Sequence, residues 1–143
     1  MVIISTTGEI ANFRHEDWQD QELWDLPQGG IDLGEEPLET LWRELKEEVG
    51  LTQDDVEVVS EYPSWTVYAD IKGDSKERER IGQAHYWYFL KLKNGCDIDL
   101  SKATEREYTD FRWTDWQTVI DSINERRMPI YSQLRDFYRT LNL

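Results

Sequence analysis

Glu44, Glu47 and Glu48 stand at spacings i, i+3 and i+4, which makes them neighbours on a helix surface. At 100° per residue they share one face, expected to be exposed. It is centred about 120° from the apolar face defined by Leu38, Leu41, Trp42, Leu45 and Val49. Carboxylates this close repel one another unless a cation sits among them. Such oxygen ligands suit Mg2+ or Mn2+, which combine carboxylates with substrate phosphates. Arg43 precedes Glu47 by four residues and can steady its carboxylate through the guanidinium fork. Ahead of the helix, Gly29-Gly30 forms a turn without Cβ atoms, so backbone carbonyls can approach the same place. The plainer alternative is the solvated acidic face of an ordinary amphipathic helix.

A longer pattern weighs against that alternative. Residues 29–51 match G-x5-E-x7-R-E-U-x-E-E-x-G-U, where U is a bulky aliphatic residue. The fixed positions are Gly29, Glu35, Arg43, Glu44, Leu45, Glu47, Glu48, Gly50 and Leu51. At ordinary residue frequencies such a match arises by chance far less than about once in a million start positions. The pattern is the Nudix box, and the sequence resembles the Nudix hydrolase family. The resemblance implies an α/β (α+β) fold with a mixed β-sheet between helices. It also implies divalent-metal-dependent hydrolysis of a nucleoside diphosphate linked to another moiety, with Mg2+ as cofactor and Mn2+ as the alternative. Glu47 and Glu48 become metal ligands, Glu44 a further ligand or the general base, and Arg43 the residue that orients Glu47. The carbonyl of Gly29 or Gln28 supplies another ligand.

The flanks narrow the resemblance. Trp24–Asp32 (WDLPQGGID) is similar to the lead of a subgroup containing bacterial RNA 5′-pyrophosphohydrolases and diadenosine tetraphosphate hydrolases. Trp65-x-x-Tyr68, Gly82-Gln83-x-x-x-Trp87, Glu107-x5-Trp113 and Pro129-Ile130-Tyr131 continue the likeness. Carried over position by position, Glu107 reaches the metals from a loop, with Glu105 as its rival. Tyr68 lines the nucleotide pocket, Gln83 contacts substrate, and Arg14, Lys72 and Arg127 meet phosphates. Each of these also has a bland reading: surface acid, strand-core aromatic, structural hydrogen bond or solvated cation. The sequence departs from the RNA enzymes in three places. It lacks the basic residue they carry ahead of the first strand, His15 stands where a second basic residue is expected, and Tyr86 where lysine is frequent. The implied substrate is a dinucleoside polyphosphate or a 5′-di- or triphosphorylated RNA end. The alternatives are a housekeeping hydrolase of nucleotide sugars or damaged nucleotides, and a non-catalytic nucleotide-binding module. The intact glutamates argue against the last.

These residues need a scaffold. Val2–Ser5 and Glu9–Arg14 read as a hairpin, Leu23–Leu26 as a short strand, and 37–49 as a helix opened by Pro37 and closed by Gly50. Val56–Tyr62, Trp65–Asp70, Ala84–Lys93 and Tyr108–Trp113 read as strands, with 84–93 central. Trp116–Ile123 and Pro129–Leu141 read as helices. Strands interleaved with two or three helices define a layered domain. At 143 residues, one domain spanning 1–143 is expected.

Composition sets limits on partners. Thirty acidic against 16 basic residues leave a net charge of −14, which excludes a broad basic surface for nucleic acid. No apolar run is long enough to span a membrane, and the lone Cys96 rules out an intrachain disulfide and a four-thiolate zinc site. A cytoplasmic protein is expected. His15 and His85 are not spaced as metal ligands, and His85 reads as a structural residue of its strand.

Overall fold

The structure, a computed structural model, describes residues 1–18, 23–69 and 82–143. A mixed five-stranded sheet has the order β3-β6-β1-β2-β7. Its strands are β1 (Val2–Ile4), β2 (Ile10–His15), β3 (Val56–Glu61), β6 (Tyr88–Leu92) and β7 (Tyr108–Thr114). β1 runs parallel to β6, and every other pairing in this sheet is antiparallel. β4 (Thr66–Ala69) and β5 (Gly82–His85) form a separate antiparallel pair.

Period-two alternation divides the core into two layers. Ile3, Ala11, Phe13 and Leu90 face α1 (Pro37–Glu44) and its continuation, packing against Leu41, Leu45 and Val49. Val2, Ile4, Ile10 and Phe89 face α2 (Trp116–Asp121) and α3 (Met128–Tyr138), packing against Val119, Ile120, Ile130 and Leu134. The expected sheet between helices is therefore present.

Several elements differ from the pattern read in the sequence. The helix is α-helical only to Glu44 and continues as a π-helical turn, Leu45–Val49. Glu39 Oε2 accepts the Glu36 N–H at 2.9 Å and Pro37 sits in the first turn, so the start is capped as expected. The acidic face is not exposed: Glu44 and Glu48 are buried, and Glu47 is partly buried. Leu38, assigned to the apolar face, is instead exposed, while Thr40 is buried. Residues 84–93 are not one strand. They divide between β5 and β6, which lie in different sheets. Leu23–Leu26 forms no strand; its one pairing is a bridge from Asp25 to Phe13.

Gly50 ends the π-helical turn with φ 77°, a left-handed conformation that penalises side chains. A Cβ there meets Asp99 O and Ala103 N at 2.8 Å, both backbone atoms of the segment leading to β7. Gly50→Ala is therefore expected to lower stability by about 1–3 kcal/mol, read as a lower urea midpoint. An unchanged midpoint would refute the close packing of this corner.

Candidate active site

The site is organised around Arg43, on the last turn of α1. Its Nε and Nη2 donate to the two oxygens of Glu35 at 2.7 and 2.9 Å, a two-pronged fit of guanidinium to carboxylate. Nη1 donates to Glu44 Oε1 at 2.7 Å and Glu47 Oε2 at 3.0 Å, and Nη2 also reaches Gly30 O at 2.8 Å. One side chain thus ties the glycine loop to the acidic helix. The Arg43 bond, helped by the Thr40 hydroxyl, holds the Glu35 carboxyl down at about 2. The same carboxylate bonds push the Arg43 guanidinium above its ordinary value.

Glu44 lies directly against the loop. A Cβ on Gly29 falls 1.8 Å from Glu44 Cδ, so only glycine leaves room for this carboxylate. Burial raises the Glu44 carboxyl, and the Arg43 bond opposes that rise. Glu48 is 2% exposed, and its Oε2 has no hydrogen-bond partner. Burial raises its carboxyl well above the ordinary range, and a hydrogen bond with Glu107 and the nearby Glu44 charge raise it further. Glu107, at the entry to β7, also lies 3.2 Å from His15 Nε2. Its rival Glu105 is exposed, and its backbone N–H donates to Glu47 O at 2.9 Å.

This donor set fits a hard divalent cation. It consists of carboxylate and carbonyl oxygens, it includes an orphaned buried oxygen, and mutual repulsion favours a positive charge among its members. As placed, no three His, Cys, Asp or Glu side chains among the described residues enclose a common point. Glu44 and Glu47 point to Arg43 instead, so ion binding exchanges part of that bonding for coordination.

A cavity of about 650 Å3 opens beside the glutamates. Its lining includes Gly29, Glu44 and Glu107 together with Trp65, Gln83 and Arg127. Arg127 precedes α3 and stacks over the Tyr68 ring at 5.3 Å. It is anchored by Asp25, a buried carboxylate that also accepts from Tyr131 Oη, Leu26 N and Gln28 Nε2. Burial raises the Asp25 carboxyl; the Arg127 charge and the Tyr131 bond oppose this.

The structure brings most of the expected residues together. Gly29, Glu44, Glu107, Gln83 and Arg127 line the cavity, with Glu48 bonded behind Glu107 and with Arg43 and Glu47 bracing the loop. Tyr68 does not line it: its hydroxyl bonds to Gln83 and Arg127, which do. Arg14 does not reach it either. Strand alternation sends His15 to the catalytic cavity and Arg14 to a separate cavity shared with Trp24 and Arg112. Lys72 lies outside the described residues. Sequence reasoning passed over Asp25, whose only signal was a lone acid in the otherwise apolar WDLP. His85 also lines the cavity rather than serving the strand alone.

The site and its fold are those of a phosphoanhydride-cleaving class, in which an arginine-braced glutamate cluster faces a nucleotide-sized cleft. A family profile described as NUDIX domain matches residues 1–138, and the chain belongs to the Nudix family, whose members generally use divalent metal ions. It is 36% identical over 118 residues to the RNA pyrophosphohydrolase of Ruthia magnifica, covering 80% of this chain and 66% of that protein. It is 36% identical over 139 residues to the RNA pyrophosphohydrolase of Pseudoalteromonas translucida, covering 94% and 78%. Among solved structures, a C. elegans Ap4A hydrolase superposes with a TM-score of 0.67 at 21% identity, covering 98% of this chain and 93% of that one. That last likeness concerns the fold alone. Among the described residues, no helix is long and apolar enough to cross a membrane.

Two outcomes follow from the buried groups. The raised Glu48 carboxyl makes its ionised form costly in the folded chain, a cost absent at low pH that grows as pH rises past the ordinary carboxylate range. In chelator-treated buffer at neutral pH, Glu48→Gln is expected to raise the urea midpoint while hydrolysis in Mg2+ is lost. Lost hydrolysis with a lower midpoint would contradict this. Burial lowers His85 to about 4, so the folded chain disfavours its charged form. Its contribution to stability is complete above about 6.5 and falls away as pH drops toward 4. His85→Asn is expected to flatten the acid limb of a stability-against-pH curve between those values, and a superimposable curve would refute it.

Proposed function

We propose that this chain hydrolyses a phosphoanhydride bond in a 5′-polyphosphorylated nucleotide, either a dinucleoside polyphosphate or the 5′ di- or triphosphate end of RNA. The observation that carries this reading is one cavity lined both by carboxylates suited to a cation and by the braced Arg127, with Gln83 and aromatic rings beside them. The names of the curated relatives support the same chemistry. A net charge of −14 fits recognition of a phosphorylated terminus rather than of a long nucleic-acid tract.

Glu47, Glu48 and Glu107, with the carbonyl of Gly29 or Gln28, would hold Mg2+, with Mn2+ as the alternative. When bound, the ion offsets phosphate charge and makes water easier to deprotonate. Arg43 keeps Glu47 aligned and the loop seated. Glu44 faces the cavity with a carboxyl raised by burial, which suits it to take the proton of the attacking water. Arg127 offers its charge to a phosphate more distant from the cleaved bond. The cytoplasm, where a lone cysteine stays reduced, is the compartment this reading implies.

The test is a hydrolysis panel of diadenosine tetraphosphate, 5′-triphosphate and 5′-diphosphate RNA, nucleotide sugars and nucleoside triphosphates, with products identified. Cleavage of a dinucleotide or RNA end in Mg2+, abolished by chelation, is expected. Glu44→Gln is expected to lower kcat by about 10²–10⁴-fold, as for loss of a general base. Turnover of nucleotide sugars alone would overturn the substrate assignment.

A further inference from the structure

The hydrogen bonds that link Asp25, Arg127, Tyr68 and Gln83 run in one direction. Asp25 pins Arg127, whose Nη2 donates to the Tyr68 hydroxyl at 3.0 Å. That hydroxyl oxygen is therefore an acceptor, and its own proton points onward. It lies 2.6 Å from Gln83 Oε1, and His85 Nε2 lies 3.1 Å from the same oxygen. The His85 ring is held edge-on between Tyr68 and Trp87, with centroids 5.7 and 5.5 Å away. With the amide reversed, its NH2 would face the hydroxyl and leave the phenolic proton without an acceptor. This bonding favours one orientation of the amide: its oxygen accepts from Tyr68 and stands within reach of His85 Nε2, and its NH2 has no bond to either side chain.

We propose that Gln83 selects a hydrogen-bond acceptor on the substrate, and that His85, as the Nε2–H tautomer, is its positioning residue. This rests on the nucleotide reading above and deepens it. Gln83 and Arg127 both line the cavity, are joined through the Tyr68 hydroxyl, and carry N–H donors. An acceptor-rich group, a phosphoryl oxygen or an acceptor atom on a base edge, matches that wall. A group offering only N–H or O–H finds no partner among these two side chains. His85 sets the direction: the opposite tautomer would ask Gln83 for a donor and turn its carbonyl toward the substrate. Burial keeps the ring neutral near pH 7, so the tautomer is what matters.

The first test needs no turnover. Long-range 1H–15N correlation of the imidazoles in the intact chain is expected to show His85 as the Nε2–H tautomer at pH 7. The Nδ1–H tautomer, or a charged ring, overturns the assignment even if hydrolysis is intact. The second is Gln83→Glu, which keeps the shape and still accepts from Tyr68 and His85 but removes the NH2. An increase in KM of about tenfold or more, exceeding the fall in kcat, is expected. Wild-type KM, or a loss confined to kcat, refutes it. Gln83→Met, which also lacks the donor, takes the same test if the carboxylate variant does not fold. Dinucleoside tetraphosphates bearing adenosine or uridine distinguish the sources. An equal penalty on both assigns the contact to a phosphoryl oxygen, and unequal penalties assign it to the base. Failure to hydrolyse any polyphosphate sinks the functional reading and the substrate half of this proposal with it, whatever the tautomer.

Discussion

A single guanidinium holds the reactive part of this molecule in shape. Arg43 bridges Glu35 and Gly30 on the loop to Glu44 and Glu47 on the helix, and these groups have no other common brace among the described contacts. Lysine could not replace it. An ammonium is a point charge, whereas the planar fork presents several donors at fixed angles and stays ionised at any accessible pH. The arrangement also meets an electrostatic need. Glu44 and Glu48 are taken out of water beside Glu107, and their repulsion has to be offset by a cation. Arg43 supplies part of that compensation from the loop side, and the buried Met1 ammonium lies close enough to Glu48 and Glu44 to add to it.

A second cluster on the cavity lining repeats this logic with the charges reversed. There a buried carboxylate, Asp25, holds a cation, Arg127, and the same carboxylate bonds Gln28 at 2.9 Å, next to the Gly29 loop. The segment 25–30 therefore ties the Arg127 anchor to the glycine loop, and displacing it disturbs that arginine and the glycine that admits Glu44 together. Several carboxylates near the cavity are committed to arginines rather than standing as free charge.

Much of this was legible in residue spacing. The run from Gly29 to Leu51 identified the glycine loop, the bracing arginine and the glutamates, because each must stand at a set distance along one helix. Apolar, β-branched residues before a turn gave the hairpin, and the strand read at 108–113 is present as β7. The failures are instructive. A uniform 100° turn put the acids on an exposed face and Leu38 in the core, but Leu38 is exposed and Glu44 buried within the regular helix, and the π-helical turn changes the rotation only for Glu47 and Glu48. The aromatic run 84–93 reads as one strand because propensity does not show where a chain leaves one sheet for another. Arg14 looked as suitable as Arg127 for phosphate, yet the pleat turns it to the opposite face of the sheet.

Local spacing was thus enough for the family, the reaction class and the glutamate cluster that Arg43 braces, since those depend on residues within one loop and one helix. It could not assign Asp25, the supporting role of Tyr68, the orientation of the Gln83 amide or the pairing of Glu48 with Glu107. Each of these depends on partners from 15 to more than 100 positions away, brought together by packing. Burial, moreover, is what turns an ordinary carboxylate or imidazole into one with a shifted pKa. The spacing of charged residues along the chain therefore set out the ingredients, while the folded contacts set the state in which each one acts.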